Sequence, residues 1–89
     1  MDSLTTAARL EWWVNSSTCL AAFLVAVTIV VDEQGWQAAG QLTRAEEGPD
    51  LAALCELDKA FELCLPDDST MVVMVTALTP TGSFTLTEA

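Results

Sequence analysis

The feature that most limits the fold of this 89-residue chain is an uninterrupted apolar run at residues 19–31. Six of the seven residues at 25–31 are β-branched, and such side chains favour extended backbone over helix. The run is also shorter than the ~17 residues that a helix needs to cross the hydrocarbon core of a bilayer. We therefore expect a long β-strand with both faces buried, and a single-span membrane subunit is the less favoured alternative.

Later segments of the chain predict further strands joined by short turns. Residues 36–42 alternate small or apolar side chains with mostly polar ones and follow turn-forming residues at 32–35, which is typical of a hairpin. Three more strands are expected at 61–65, 70–78 and 83–88, because residues 66–69 and 79–82 have the composition of tight turns. Strands joined by such short turns pair in an antiparallel manner.

The N-terminal segment fits two structures. Residues 9–14 alternate as Arg9, Leu10, Glu11, Trp12 and so on, which favours a strand. Residues 6–14 could instead form a helix with apolar side chains on one side. We prefer the strand, because the polar residues at 15–17 would then turn it back into the long apolar strand.

One helix is predicted at about residues 49–60. Pro49 is favoured in a first helical turn, and Asp50 complements the positive end of the helix dipole. Leu51, Leu54 and Leu57 follow at helical spacing and form an apolar stripe that could lie on a sheet. We therefore expect one α+β domain over residues 1–89, with an antiparallel sheet of about five or six strands and one covering helix.

The residue types in the chain leave little for catalysis. The sequence contains no His and no Tyr, so the commonest general base and the usual activator of a nucleophilic Ser or Cys are both missing. No glycine-rich phosphate-binding loop and no metal-binding motif is present. We therefore expect a protein that is not an enzyme, with no catalytic residues, no metal site and no cofactor.

The three cysteines, Cys19, Cys55 and Cys64, are an odd number without a Cys-x-x-Cys pair. This pattern supports neither a zinc site nor a disulfide framework. Because their neighbours are apolar, we expect small buried side chains in a reducing cytoplasm, with a Cys55–Cys64 disulfide as the alternative.

The charge of the chain is strongly negative and unevenly distributed. Thirteen acidic residues and three basic ones give a net charge of −10, which disfavours nucleic acids and anionic membranes as direct partners. Residues 1–44 carry a net charge of −2 and residues 45–89 carry −8. We predict a partner-binding surface from the eight acidic residues of one short segment, namely Glu46, Glu47, Asp50, Glu56, Asp58, Glu62, Asp67 and Asp68. A solvated face that only keeps the protein soluble is the competing interpretation.

These observations favour a non-catalytic interaction protein that binds, and in one version inhibits, a basic protein partner. Nucleic-acid mimics, inhibitors and immunity-type proteins share this charge profile. The alternative is a carrier of small apolar ligands, with the sheet and the three tryptophans lining a pocket. Because 52% of so short a chain is apolar, we also expect a symmetric homodimer.

Overall fold

The computed structural model describes residues 2–88, which form six β-strands, a 3-10 turn and one α-helix. The elements are β1 (Asp2–Asn15), β2 (Thr18–Asp32), β3 (Gly35–Leu42), the 3-10 turn (Ala45–Glu47), α1 (Gly48–Leu57), β4 (Ala60–Cys64), β5 (Thr70–Thr76) and β6 (Ser83–Glu88). The preferred strand at residues 9–14 is confirmed as part of β1, and the helical alternative is wrong. The other predicted strands are confirmed within one or two residues.

The six strands form a closed antiparallel barrel in the order β1-β2-β3-β6-β5-β4, with β4 pairing back onto β1. The small antiparallel architecture is as predicted, but the sheet is closed into a barrel, and the expected helix covering a face of the sheet is wrong. Each strand has one apolar face, and curling the sheet on itself buries all of these faces against one another. Closure of the sheet therefore buries the apolar faces that a helix was expected to cover.

Helix α1 lies at one end of the barrel, between the end of β3 and the start of β4. Leu51 is fully buried and packs with the barrel core, whereas Leu54 is half-buried and Leu57 is 75% exposed. Only part of the predicted apolar stripe is therefore buried. A ten-residue helix that caps a narrow barrel end can bury one turn, whereas one lying on a sheet would bury its whole stripe.

Strand β2 confirms the extended structure of the apolar run but not its burial on both faces. Phe23, Val25 and Val27 point into the barrel and are buried, whereas Leu20 and Leu24 on the outer face are exposed. A barrel has a single interior, so only alternate residues of the strand can reach it. Within the described residues, no helix is long and apolar enough to cross a membrane.

The barrel interior is filled by side chains from all six strands and by Leu51 of α1. Its buried apolar residues are Ala8, Leu10, Phe23, Val25, Val27, Ile29, Ala38, Leu42, Leu51, Phe61, Leu63, Val73, Val75, Phe84 and Leu86. Gly40 makes room for the Phe84 ring, because a Cβ at this position would stand 2.5 Å from a ring carbon. Strand β3 thus needs a residue without a side chain where the ring crosses it.

Closure of the barrel depends on a short seam between β1 and β4. Only three residue pairs form it in the described chain: Arg9 with Cys64, Leu10 with Leu63, and Glu11 with Glu62. The middle pair points inward, and both leucines are fully buried. The outer pairs carry the polar residues described below.

The antiparallel strands give the barrel two different ends. The helix end holds the β1–β2 turn, both connections of α1 and the β5–β6 loop. The turn end holds the start of β1, the β2–β3 turn, the β4–β5 loop and the end of β6. Residues that are distant in the chain therefore meet at one end.

We predict that Leu63→Ala lowers the free energy of unfolding by about 2–5 kcal/mol, because it opens a cavity at the seam. Leu57→Ala is the matched control, since the same atoms are removed from a side chain that is 75% exposed. That variant should lose less than about 0.5 kcal/mol. Urea denaturation measures both values, and equal losses would show that the seam is not a centre of packing.

Candidate functional site

The eight acidic residues predicted as a binding surface lie on three different parts of the fold. Five of them, Glu46, Glu47, Asp50, Glu56 and Asp58, lie on the 3-10 turn, α1 and its exit, at the helix end. Asp67 and Asp68 lie in the β4–β5 loop at the turn end, and Glu62 lies on the outer wall in β4. A segment that is continuous in sequence is therefore divided over the length of the barrel.

The two ends differ in how far their acidic residues are compensated. Arg44 and Lys59 flank the acidic residues of the helix end. At the turn end, Asp67 and Asp68 are joined by Asp32, Glu33 and Glu88. Arg9 lines the groove beside Asp68, but its guanidinium is already paired with Glu11. The turn end is therefore the more strongly negative end of the barrel. Sequence reasoning missed these three residues, because they are far from the acidic segment along the chain.

Local hydrogen bonds hold two of the turn-end carboxylates in place. The Ser69 hydroxyl and backbone N–H both donate to Asp67 Oδ1, at 2.5 and 3.0 Å. These bonds lower the pKa of Asp67 below its ordinary value, because they stabilise the charged form. The backbone N–H of Gln34 donates to Asp32 Oδ1 at 2.8 Å in the same way. Both turns thus present negative charge from a fixed position.

A second group of polar residues lies on the outer face of the β1–β4 seam. Glu11 points away from the barrel interior but is only 7% exposed, since its neighbours cover it. Arg9 Nε donates to Glu11 Oε2 at 2.7 Å, and Trp13 Nε1 donates to Oε1 at 3.2 Å. Among the side chains that the structure describes, Arg9–Glu11 is the one ion pair.

The same group contains the donor atoms of a conceivable metal site. One carboxylate oxygen each of Glu11 and Glu62 and the Cys64 sulfur lie within 4.8 Å of one another. Burial and the nearby Glu11 carboxylate raise the pKa of the Cys64 thiol, although Arg9 opposes this. Because a metal needs the thiolate and Arg9 already supplies a cation to Glu11, the geometry favours a structural ion pair. Only the β1–β4 register brings these residues together.

The three cysteines are free in the structure, so the alternative Cys55–Cys64 disulfide is wrong. Cys55 and Cys64 are half-buried, whereas Cys19 is exposed on β2, contrary to the expected burial. Burial raises the pKa of Cys55, which keeps this thiol protonated near neutral pH.

The tryptophans do not line one pocket. Trp12, at the helix-end half of β1, packs partly against the core and donates from Nε1 to the Asp58 carbonyl at 3.2 Å. Trp36 packs against the core from the first part of β3, near the turn end, and Trp13 is exposed on the seam. Two of the three thus act mainly in packing, as their size in so small a protein favours.

Comparison of the chain with known protein families, with curated proteins and with solved structures gives no match. The function is therefore argued from the residues and their arrangement.

We predict that Glu11→Gln speeds alkylation of Cys64 by iodoacetamide at pH 8. Removing the carboxylate lowers the pKa of the thiol and leaves Arg9 free to stabilise the thiolate, which is the reactive form. Mass spectrometry of timed samples gives the rate at each cysteine. Cys19 is the internal control and should react at an unchanged rate, and an unchanged rate at Cys64 would contradict the proposed coupling.

Proposed function

We propose that this protein is a non-catalytic interaction protein that binds a basic protein partner through the turn end of the barrel. Such a protein could act as an inhibitor, an immunity-type protein or a nucleic-acid mimic, by occupying a basic surface of its partner. The observation that carries the proposal is the excess of carboxylates at the turn end, where the nearby cation Arg9 is already paired with Glu11. These carboxylates are Asp32, Glu33, Asp67, Asp68 and Glu88. Charge of one sign over a limited area speeds encounter with a partner of the opposite sign and orients it.

The arrangement of these residues supports recognition over simple solubility. A solubilising surface mixes charges of both signs, as the helix end does with Arg44 and Lys59. At the turn end five carboxylates face one nearby cation, Arg9, which Glu11 already neutralises. Hydrogen bonds from the backbone fix Asp32 and Asp67. Side chains held in this way lose less conformational entropy on binding than freely rotating ones.

A carrier function for small apolar ligands has less support. Ligand-binding barrels keep a cavity in the interior, whereas Phe23, Phe61 and Phe84 fill this one together with the aliphatic core. The close packing of Phe84 on Gly40 leaves no space between them.

The test compares two variants with the same net charge. The turn-end variant combines Asp32→Asn, Glu33→Gln, Asp67→Asn and Asp68→Asn, and the helix-end variant combines Glu46→Gln, Glu47→Gln, Asp50→Asn and Glu56→Gln. A partner is captured from native extract, identified, purified and titrated by calorimetry. We expect the turn-end variant to bind about tenfold or more weakly, because close interfacial charge pairs are lost, and the helix-end variant to change by less than about threefold.

Each replacement keeps an oxygen that can accept the turn hydrogen bonds, so the fold of both variants should be retained; circular dichroism checks this. Equal weakening in both variants would show that total charge, and not the turn end, determines binding. A captured partner with an acidic surface would overturn the proposal.

The expected homodimer remains part of the proposal. The outer face of β1 and β2 offers exposed Leu20, Leu24 and Trp13 as an apolar surface for a second copy. Sedimentation at micromolar concentration should then show a particle of twice 9.5 kDa, and Leu24→Ser should shift it towards the monomer. A wild-type protein that sediments only at 9.5 kDa would exclude the dimer.

A further inference from the structure

Strand β1 has an unpaired edge at the turn end. On one side it pairs with β2 from Asp2 to Asn15, but on the other side β4 reaches only residues 9–11. Residues 3–8 therefore have no neighbouring strand on that side in the described chain. Such an edge displays backbone groups that can pair with an extended peptide.

The hydrogen-bonding pattern shows which residues face the free edge. The Leu24 carbonyl accepts from the Thr43 N–H at 3.0 Å, on the side of β2 away from β1. The N–H and C=O groups of successive residues point to opposite sides of a strand, so those of odd-numbered residues of β2 point towards β1. The partners of these residues in β1 are even-numbered. The N–H and C=O groups of Ser3, Thr5 and Ala7 therefore point outward from the sheet edge.

The side chains along this edge also suit an added strand. Leu4 and Val31 lie on the inner face but are 55% and 48% exposed, because the β1–β2 hairpin extends past the shorter strands here. Residues 3–8 contain no charge and no proline, the usual devices that block edge pairing. A groove of about 290 Å³ separates Ala7, Ala8 and Arg9 from Leu65, Pro66 and Asp68 of the β4–β5 loop.

The charges around the edge indicate the occupant. Asp67 and Asp68 lie on the β4–β5 loop at this end, Asp32 is the last residue of β2, and Glu33 follows it in the β2–β3 turn. Arg9 in the groove is already paired with Glu11. Pairing with a second copy would bring two sets of these acidic residues together and is opposed by repulsion. A strand with Lys or Arg would instead be attracted, and its alternate apolar residues would cover Leu4 on the inner face of β1.

We propose that the free edge of β1 accepts an extended segment of a basic partner as a seventh strand, with backbone pairing to Ser3, Thr5 and Ala7. The segment alternates basic and apolar residues. This inference rests on the proposed function, and it adds the mode of binding and the sequence pattern of the partner.

The first experiment uses two fluorescent seven-residue peptides, one alternating lysine with valine and one alternating lysine with glycine. Their charges are equal, but only the first favours a strand. By fluorescence anisotropy, we expect the lysine–valine peptide to bind about tenfold or more tightly. Hydrogen exchange followed by NMR should show that it protects the amides of Ser3, Thr5 and Ala7.

The second experiment compares Thr5→Pro with Thr5→Val. Both remove the hydroxyl that contacts Thr28 at 3.1 Å, but only proline removes the outward N–H. We expect Thr5→Pro to weaken binding about tenfold and Thr5→Val to remain within about twofold of wild type. A further test leaves the protein unchanged and N-methylates the peptide backbone either at every valine or at every lysine. Because alternate N–H groups of the added strand point towards β1, one methylated form should lose binding and the other should keep it.

The possible failures are distinguishable. Equal binding of the lysine–valine and lysine–glycine peptides, or of Thr5→Pro and wild type, would overturn strand addition but leave the acidic turn end as a binding surface. Absence of binding by both peptides at low salt would count against the edge and the acidic surface together. Protection of the same amides that rises with protein concentration alone would overturn the proposal by showing a second copy on the edge.

Discussion

The three-pair seam between β1 and β4 is the contact on which the barrel depends. The other five strand neighbours are joined by longer ladders, but without this seam the sheet would be open and its apolar face would meet water. Leu10 and Leu63 close it from inside, where both are fully buried. Arg9 and Glu11 cover it from outside with a 2.7 Å ion pair. The seam thus combines a buried leucine pair on its inner side with an ion pair on its outer side.

The shortness of the seam also leaves the edge of β1 free. Strand β1 spans fourteen residues and β4 only five, so β1 continues well beyond its neighbour towards the turn end. An early end to β4 makes room for the β4–β5 loop and places Asp67 and Asp68 beside the exposed edge. The difference in length between β1 and β4 therefore explains both the shortness of the seam and the free edge of β1.

The direction of the strands determines at which end of the barrel each acidic residue lies. Each antiparallel strand returns the chain to the opposite end, so the residues before and after β4 lie at opposite ends of the barrel. Asp58 precedes β4 and Asp67 follows it, which divides the acidic segment between the two ends. The same rule brings Asp32 and Glu33 to the end that holds Asp67, although more than thirty residues separate them in the chain.

Much of the local structure could be predicted from the sequence, because it depends on neighbouring residues. The β-branched run at 19–31 predicted β2, the alternation at 9–14 predicted part of β1, and Pro49 marked the first turn of α1. The absence of His and the net charge of −10 likewise belong to the sequence. Barrel closure, the exposed outer face of β2 and the position of α1 could not be predicted, because they depend on the pairing of β4 with β1. The register of that pairing also buried Glu11 beside Cys64, since spatial neighbours in a barrel are set by long-range hydrogen bonds and not by the order of the chain.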